Sequence, residues 1–341
     1  MSLLLVGRAI AQSDGPKGSE TAPSNRAIAL DTVYYSPAVP STIEPWSPLK
    51  TEKLRGEVKE LNAKNLVIVI DGVKRELPSD RVEYIEPAWD TPEAAEAFER
   101  YHRREYVAAL KQNVRVINTD SALATWQRRV LLAELIESAE SIGQIRIAGT
   151  LFLEMCKADP PVFLAAGMPL NWTTREADRA TLETARGWLA DESEAAGLLG
   201  ASWLLLGSDK SEEAKTRLRT LSSSKVDWIR QAAAVQLWRL TPPPETLSNL
   251  DRWYGARDKM LPSMQLGPTE FIADRMSRIG QSTSAVEEWM RVALIHEHRI
   301  SRSDAAMESA KKELARSSAT DQVDKLTAWI EDRKRRIENA K

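Results

Sequence analysis

The 341-residue chain has one cysteine, three histidines and no long apolar run. With a single cysteine, Cys156, no intramolecular disulfide can form. In the run Leu151-Phe152-Leu153-Glu154-Met155-Cys156 it reads as a small buried hydrophobe. No stretch of about 20 apolar residues exists, so no membrane-spanning helix is expected. A phosphate-cradling glycine loop is missing too. Gly197-Leu198-Leu199-Gly200 falls inside a helical pattern and not after a strand, which makes it a close-packing contact. No Gly-x-Ser-x-Gly elbow occurs. An excess of one charge is also lacking: 47 basic against 49 acidic residues gives a net charge of -2. That balance argues against a dedicated nucleic-acid or anionic-membrane binder. The only basic run, Arg333-Lys334-Arg335-Arg336, reads as a solvated helix C-terminus.

The histidines are His102, His296 and His298. In His296-Glu297-His298 two imidazoles stand two residues apart, roughly 200° around a helix, so they do not share a metal easily. The motif reads as a surface helix end. None of the three has a recognisable nucleophile or carboxylate partner. The sequence therefore nominates no catalytic, cofactor-binding or metal-binding residue, and no cofactor.

What the chain does have is repetition. Asp191 to Leu205 and Ser224 to Trp238 follow one pattern, offset by about 33 residues, a helical-repeat period. Asp191 and Ser224 are the expected N-caps. Ala201 and Ala234 occupy equivalent small sites, both expected against a neighbouring helix. Helix starts are expected near Thr91, Asp120, Thr173 (a capping box with Glu176), Ser211, Pro244, Thr269, Ser282, Ser303 and Thr320. Gly207 and Gly280 suit helix C-termini, and Met260 to Pro268 reads as a loop. Twelve to fourteen helices follow, and one hairpin cannot bury its own apolar face, so hairpins must stack. Eleven tryptophans, eight of them between Trp172 and Trp329, read as inter-helix packing.

Ahead of the helices, Leu54 to Leu61 alternates like a half-buried strand, Leu66 to Ile70 is β-branched, and Asp71-Gly72 signals a tight hairpin. Val82 to Ile85 suggests a last strand, Ala27 to Tyr35 a first one, and Pro37 to Pro48 a loop.

With landmarks at Gly56, Asp71-Gly72, Pro78 and Arg81-Val82, this segment resembles small SH3-like or Sm-like β cassettes of exported bacterial proteins. Tyr106, Ala109 and Leu110 in the hairpin from Ala97 resemble a tetratricopeptide repeat, and Val226 to Ala234 is similar to the second helix of a HEAT repeat. Met1 to Ala11, with Leu3 to Val6 and Ala9-Ile10-Ala11, looks like a shortened export signal.

The expected fold is mainly α: an α-solenoid of stacked helix hairpins preceded by a small β-barrel-like domain. Its expected divisions are 1–11 signal segment, 12–26 disordered linker, 27–87 small β domain and 90–341 helical-repeat domain. The expected location is exported, periplasmic or extracellular, with cytoplasmic as the alternative. The expected function is a non-catalytic interaction scaffold whose partner is another protein or peptide. The alternatives are a glycan- or peptide-processing enzyme with a site assembled from inter-repeat loops, and RNA binding through the β cassette.

Overall fold

In the computed structural model the described residues are 30–37, 51–120, 123–173, 177–206 and 208–339. The expected signal segment and linker, the loop beyond Pro37, Glu176 of the expected capping box and Gly207 lie outside them.

Five antiparallel strands come first: β1 (Asp31–Tyr35), β2 (Glu52–Leu61), β3 (Asn65–Ile70), β4 (Val73–Pro78) and β5 (Val82–Glu86). Their order across the sheet is β4-β3-β2-β1-β5. The ten residues of β2 serve two partners, β1 with the first half and β3 with the second. The register shifts between Val58 and Glu60, a bulge within the pairing to β3 that bends the strand. Asp71 and Gly72 have φ of 50° and 78°, the left-handed pair that a two-residue hairpin requires. A one-turn 3₁₀ helix, Ser79–Arg81, separates β4 from β5.

The chain then turns helical at α1 (Pro92–His102), where Thr91 Oγ1 accepts from Ala94 N and Pro92 opens the first turn. There follow α2 (Tyr106–Thr119), α3 (Thr125–Ser141), α4 (Ile145–Cys156), the short α5 (Val162–Ala165), α6 (Arg179–Ala190) and α7 (Glu194–Leu204). The remainder are α8 (Ser211–Leu221), α9 (Asp227–Gln236), α10 (Thr246–Arg257), α11 (Leu266–Arg278), α12 (Ser282–Ile295), α13 (Ile300–Arg316) and α14 (Thr320–Asn339). Most consecutive helices pack on one another as hairpins, among them α1 with α2, α6 with α7, α11 with α12 and α12 with α13. The fold is mainly α with a small N-terminal antiparallel sheet.

Several helix starts differ from the expected ones. Ser193, not Asp191, caps α7, and Asp191 instead accepts from Ser193 N. Val226 precedes α9, with Ser224 Oγ accepting from Val226 N. Asp120 closes α2 and does not open α3. Asp178 caps α6, so no helix begins at Thr173. Thr269 and Ser303 lie inside the first turns of α11 and α13. In place of a loop at Met260 to Pro268, a 3₁₀ turn (Pro262–Gln265) runs into α11 with Pro268 at its third position, where the missing N–H costs nothing.

Ala201 and Ala234 are not equivalent. Ala201 is fully buried, whereas Ala234 is exposed. α7 is enclosed by α4, α6, α8 and α9, while α9 has only one covered face. The 33-residue step is kept by the caps, Ser193 and Val226, but not by the environment.

The stack closes on itself. Ser301 Oγ donates to Glu137 Oε1 at 3.1 Å, Arg299 donates to Phe163 O, and Arg104 pairs with Asp304. Ile300 packs with Tyr101 and Ala109. Strand residues such as Val33, Ile68 and Ile85 share one continuous core with helix residues from Ala94 to Ala285. The tryptophans serve this packing: Trp253 is fully buried and stacks on Trp238 at 5.5 Å, and Trp203 Nε1 donates to Pro169 O.

Candidate functional site

The closure brings together three places distant in sequence: β1 and β5 of the sheet, the face of α1 and α3, and the turn between α12 and α13. Asp31 anchors the sheet there, its carboxylate accepting from Val58 N and Ala88 N at 2.7 Å each. β5 then presents Glu83 and Tyr84. α1 ends on His102, and α12 ends on His296, His298 following two residues later.

All three histidines meet here. Tyr84 Oη lies 3.0 Å from His102 Nε2, and the Tyr84 ring stacks on His298 with centroids 5.3 Å apart. His296 and His298 are 6.3 Å apart in a T-shaped contact. His296 is buried, so the expected surface helix end is an interior one. Burial pulls the His102 imidazolium down to about 4, reinforced by the Arg104 charge, and His296 down to about 3, reinforced by Arg302 and Arg299. His298 is held well below the usual imidazole range by burial and by Arg299. All three are neutral at pH 7. Arg333, half-buried, leaves the solvated run expected of it and donates to Ser303 Oγ at 2.8 Å and to Glu297 O at 3.2 Å.

On α3, Glu134 and Glu137 stand one turn apart. Glu137 is well partnered, by Ser301, Arg299 and Tyr101. Glu134 is 6% exposed, and neither of its oxygens has a hydrogen-bond partner among the described residues. Burial, with the neighbouring Glu137, pushes its carboxyl well above the usual range. Its 4.0 Å approach to His102 Nε2 thus joins two neutral groups and is no ion pair. Tyr84 and Glu134 also converge on the same ring nitrogen, so the imidazole cannot relay a proton from one to the other.

An open cleft of ≈ 570 Å³ is lined by Tyr34, Lys53, Glu83, Glu86, Glu297 and His298, with Leu294 and Ile300 supplying apolar surface. A small void of ≈ 30 Å³, about one water in size, shares Glu83, Tyr84 and His298 with it and reaches Glu134 and Glu137. Glu83 is 9% exposed. Its Oε2 accepts from Thr51 Oγ1 at 3.2 Å, and its Oε1 has no partner among the described residues. Tyr34 Oη donates to Glu86 Oε1 at 2.9 Å, and Lys53 Nζ sits 4.7 Å over the Tyr34 ring. Among the described residues no three of His, Cys, Asp and Glu are grouped to hold a metal ion.

Sequence reasoning nominated none of these groups. The signal available was faint: two of three histidines in one tripeptide, and a tyrosine in the last strand. Cys156 is half-buried, its thiol pushed up to about 12 by burial and by Asp159, as suits a packing residue. No helix among the described residues is long and apolar enough to cross a membrane. Set against known protein families, curated proteins and solved structures, the chain matches none.

Proposed function

We propose that the protein is a non-catalytic binding scaffold for another polypeptide, and that the cleft at the closure is its contact surface. The observation that supports this is the cleft itself. Its size lies within the range of ligand sites. Its wall mixes polar groups with apolar surface, including Leu294 at 56% exposure. Its central groups are neutral and arranged to hold, not to transfer protons.

The finer family readings belong to the same proposal. The order β4-β3-β2-β1-β5, the shared β2 and the 3₁₀ turn before β5 favour an SH3-like barrel, and the hairpins favour a tetratricopeptide- or HEAT-like stack. The apolar Leu3 to Val6 and the small-residue Ala9-Ile10-Ala11 favour export, which N-terminal sequencing of the protein from its native host checks.

One observation favours a second reading, a glycan- or peptide-processing enzyme: the buried Glu134 carboxyl, pushed well above the usual range by burial, lies 4.0 Å from His102 in the void beside the cleft. RNA binding has less support, since Tyr84 is stacked on His298 and not free to stack on bases. The test is binding of fluorescently labelled decapeptide pools, followed by hydrogen exchange. Protection gained at 82–86 and 294–300 is the expected result. No peptide binding, together with turnover of peptide or glycan substrates that Glu134→Gln abolishes, replaces the scaffold with the enzyme.

A further inference from the structure

Resting on the binding reading, we propose that the cleft selects a partner segment bearing a cationic side chain, a lysine ammonium or an arginine guanidinium. The first observation is charge. Among the described residues that line the cleft, Glu83, Glu86 and Glu297 face one Lys or Arg, Lys53. That lysine lies over the Tyr34 ring. His102 and His298, the other basic groups on the wall, add no positive charge near neutral pH.

The second observation is independent of the acidic count. Glu83 is buried to nine-tenths, yet its Oε1 accepts no hydrogen bond among the described residues. A buried acceptor left bare is a debit in free energy that a donor from outside removes. Thr51 holds the other oxygen of Glu83, which fixes the carboxyl on the cleft wall.

The third is aromatic geometry. The Tyr34 and Tyr84 rings stand 5.8 Å apart, beside the carboxylate of Glu86. Ring faces attract cations, and a carboxylate nearby strengthens the attraction. Lys53 occupying such a position on Tyr34 shows that an ammonium suits this wall. A peptide ammonium reaching past it meets the Glu83 side chain on the wall and Glu297 at the rim. The exposed Leu294 offers apolar contact to the residues flanking that side chain.

The experiment uses the full chain and fluorescence anisotropy with three matched decapeptides: one with two lysines, one with the same lysines acetylated, and one with glutamates. The lysine peptide is expected to bind, and acetylation to weaken it by about tenfold or more. Glu83→Gln, which keeps the side-chain shape, should weaken the lysine peptide by about tenfold and leave the acetylated one unchanged. Glu297→Gln, at the exposed rim, should weaken it by about twofold to threefold, an effect lost in high salt. Equal binding of lysine and acetyl-lysine peptides overturns the cationic selection while the binding reading stands. So does an unchanged affinity in a folded Glu83→Gln protein. Binding of none of the three, nor of the labelled pools, removes both readings. Spermidine binding as tightly as the lysine peptide, with the same loss in Glu83→Gln, overturns the peptide and assigns the cleft to free polyamines.

Discussion

Gly197 and Gly200 lie three residues apart on α7, and the structure gives them opposite responses to one methyl group. In both, alanine replaces glycine within a helix, which by itself stabilises by about 0.8–1.0 kcal/mol. What the new Cβ meets differs. At Gly200 it would lie 2.3 Å from Leu189 N and 2.6 Å from Ala185 O, both backbone atoms of α6. Ordinary contact begins near 3.4 Å, so α6 and α7 must part by about 1 Å along their crossing. Overpacking of this kind costs about 1–3 kcal/mol, and backbone cannot swing aside as a side chain does. At Gly197 the obstacle is the Arg217 guanidinium, 2.3 Å away at Nε. Arg217 reaches there on contacts of 3.3–3.5 Å to the carbonyls of Asp191, Glu192 and Ser193, and it can move. Gly200→Ala should therefore lower stability by about 1–2 kcal/mol net, and Gly197→Ala should leave it unchanged or raise it by up to about 0.5 kcal/mol. Urea midpoints of the two variants and the parent, at equal m-values, give the comparison. If Gly200→Ala is as stable as Gly197→Ala, the close approach of α6 and α7 is wrong.

The same helices separate two alanines. Ala201→Phe should destabilise by about 1–3 kcal/mol or more, while Ala234→Phe, on the exposed side of α9, should change the urea midpoint by less than about 0.5 kcal/mol. Arg299→Met removes the cation facing Glu137 and the donor to Phe163 O, and should cost about 3 kcal/mol with increased exchange at the α12–α13 turn. Glu134 gains a proton on folding, since its folded-state carboxyl titrates well above the unfolded one. It therefore loses stability as pH rises, by about 1.4 kcal/mol per pH unit between the two values. Glu134→Gln should be more stable than the parent at pH 8 and no better at pH 4, measured by thermal melts at both. A gain of equal size at the two pH values would show that Glu134 is not protonated in the fold.

The helical architecture was legible because it rests on local rules. Pro92 behind Thr91, Gly280 at φ 78° after α11, and the Asp71-Gly72 turn each act within a few residues, and each stands where the sequence put it. The helix starts that shifted did so for a reason that is also local. Ser, Asp and Thr form turns of their own two residues ahead of a helix as readily as they cap it. Asp191 and Ser224 do this, accepting from Ser193 N and Val226 N. Thr269 and Ser303 look like caps, yet sit within a first turn and return their hydroxyls to Gln265 O and Ala293 O. The inequality of Ala201 and Ala234 comes from further away. α7 has four helical neighbours, and no 15-residue pattern records how many neighbours a helix will have.

The cleft was illegible for a stronger form of that reason. A repeat read by its period implies nearest-neighbour contacts and open ends, and nothing in the spacing says that the turn after α12 will return to β5. Its joining groups are far apart in sequence, 200 residues for Arg104 with Asp304 and 164 for Ser301 with Glu137, and His298 meets Tyr84 across a similar span. Each alone has an ordinary local role, such as a helix-end histidine or a charged residue on a helix face. Closure changes the solvent around them. It buries His296 and half-buries His298, and it leaves Glu134 and Glu83 Oε1 without a hydrogen-bond partner among the described residues. Where such polar groups are tolerated in a buried place without satisfaction, local stability is not what retains them. In this protein Glu134 and Glu83 lie where the sheet, α3 and the last hairpins meet around a cleft, and that placement is why the closure, and not the repeat surface, is the contact surface proposed.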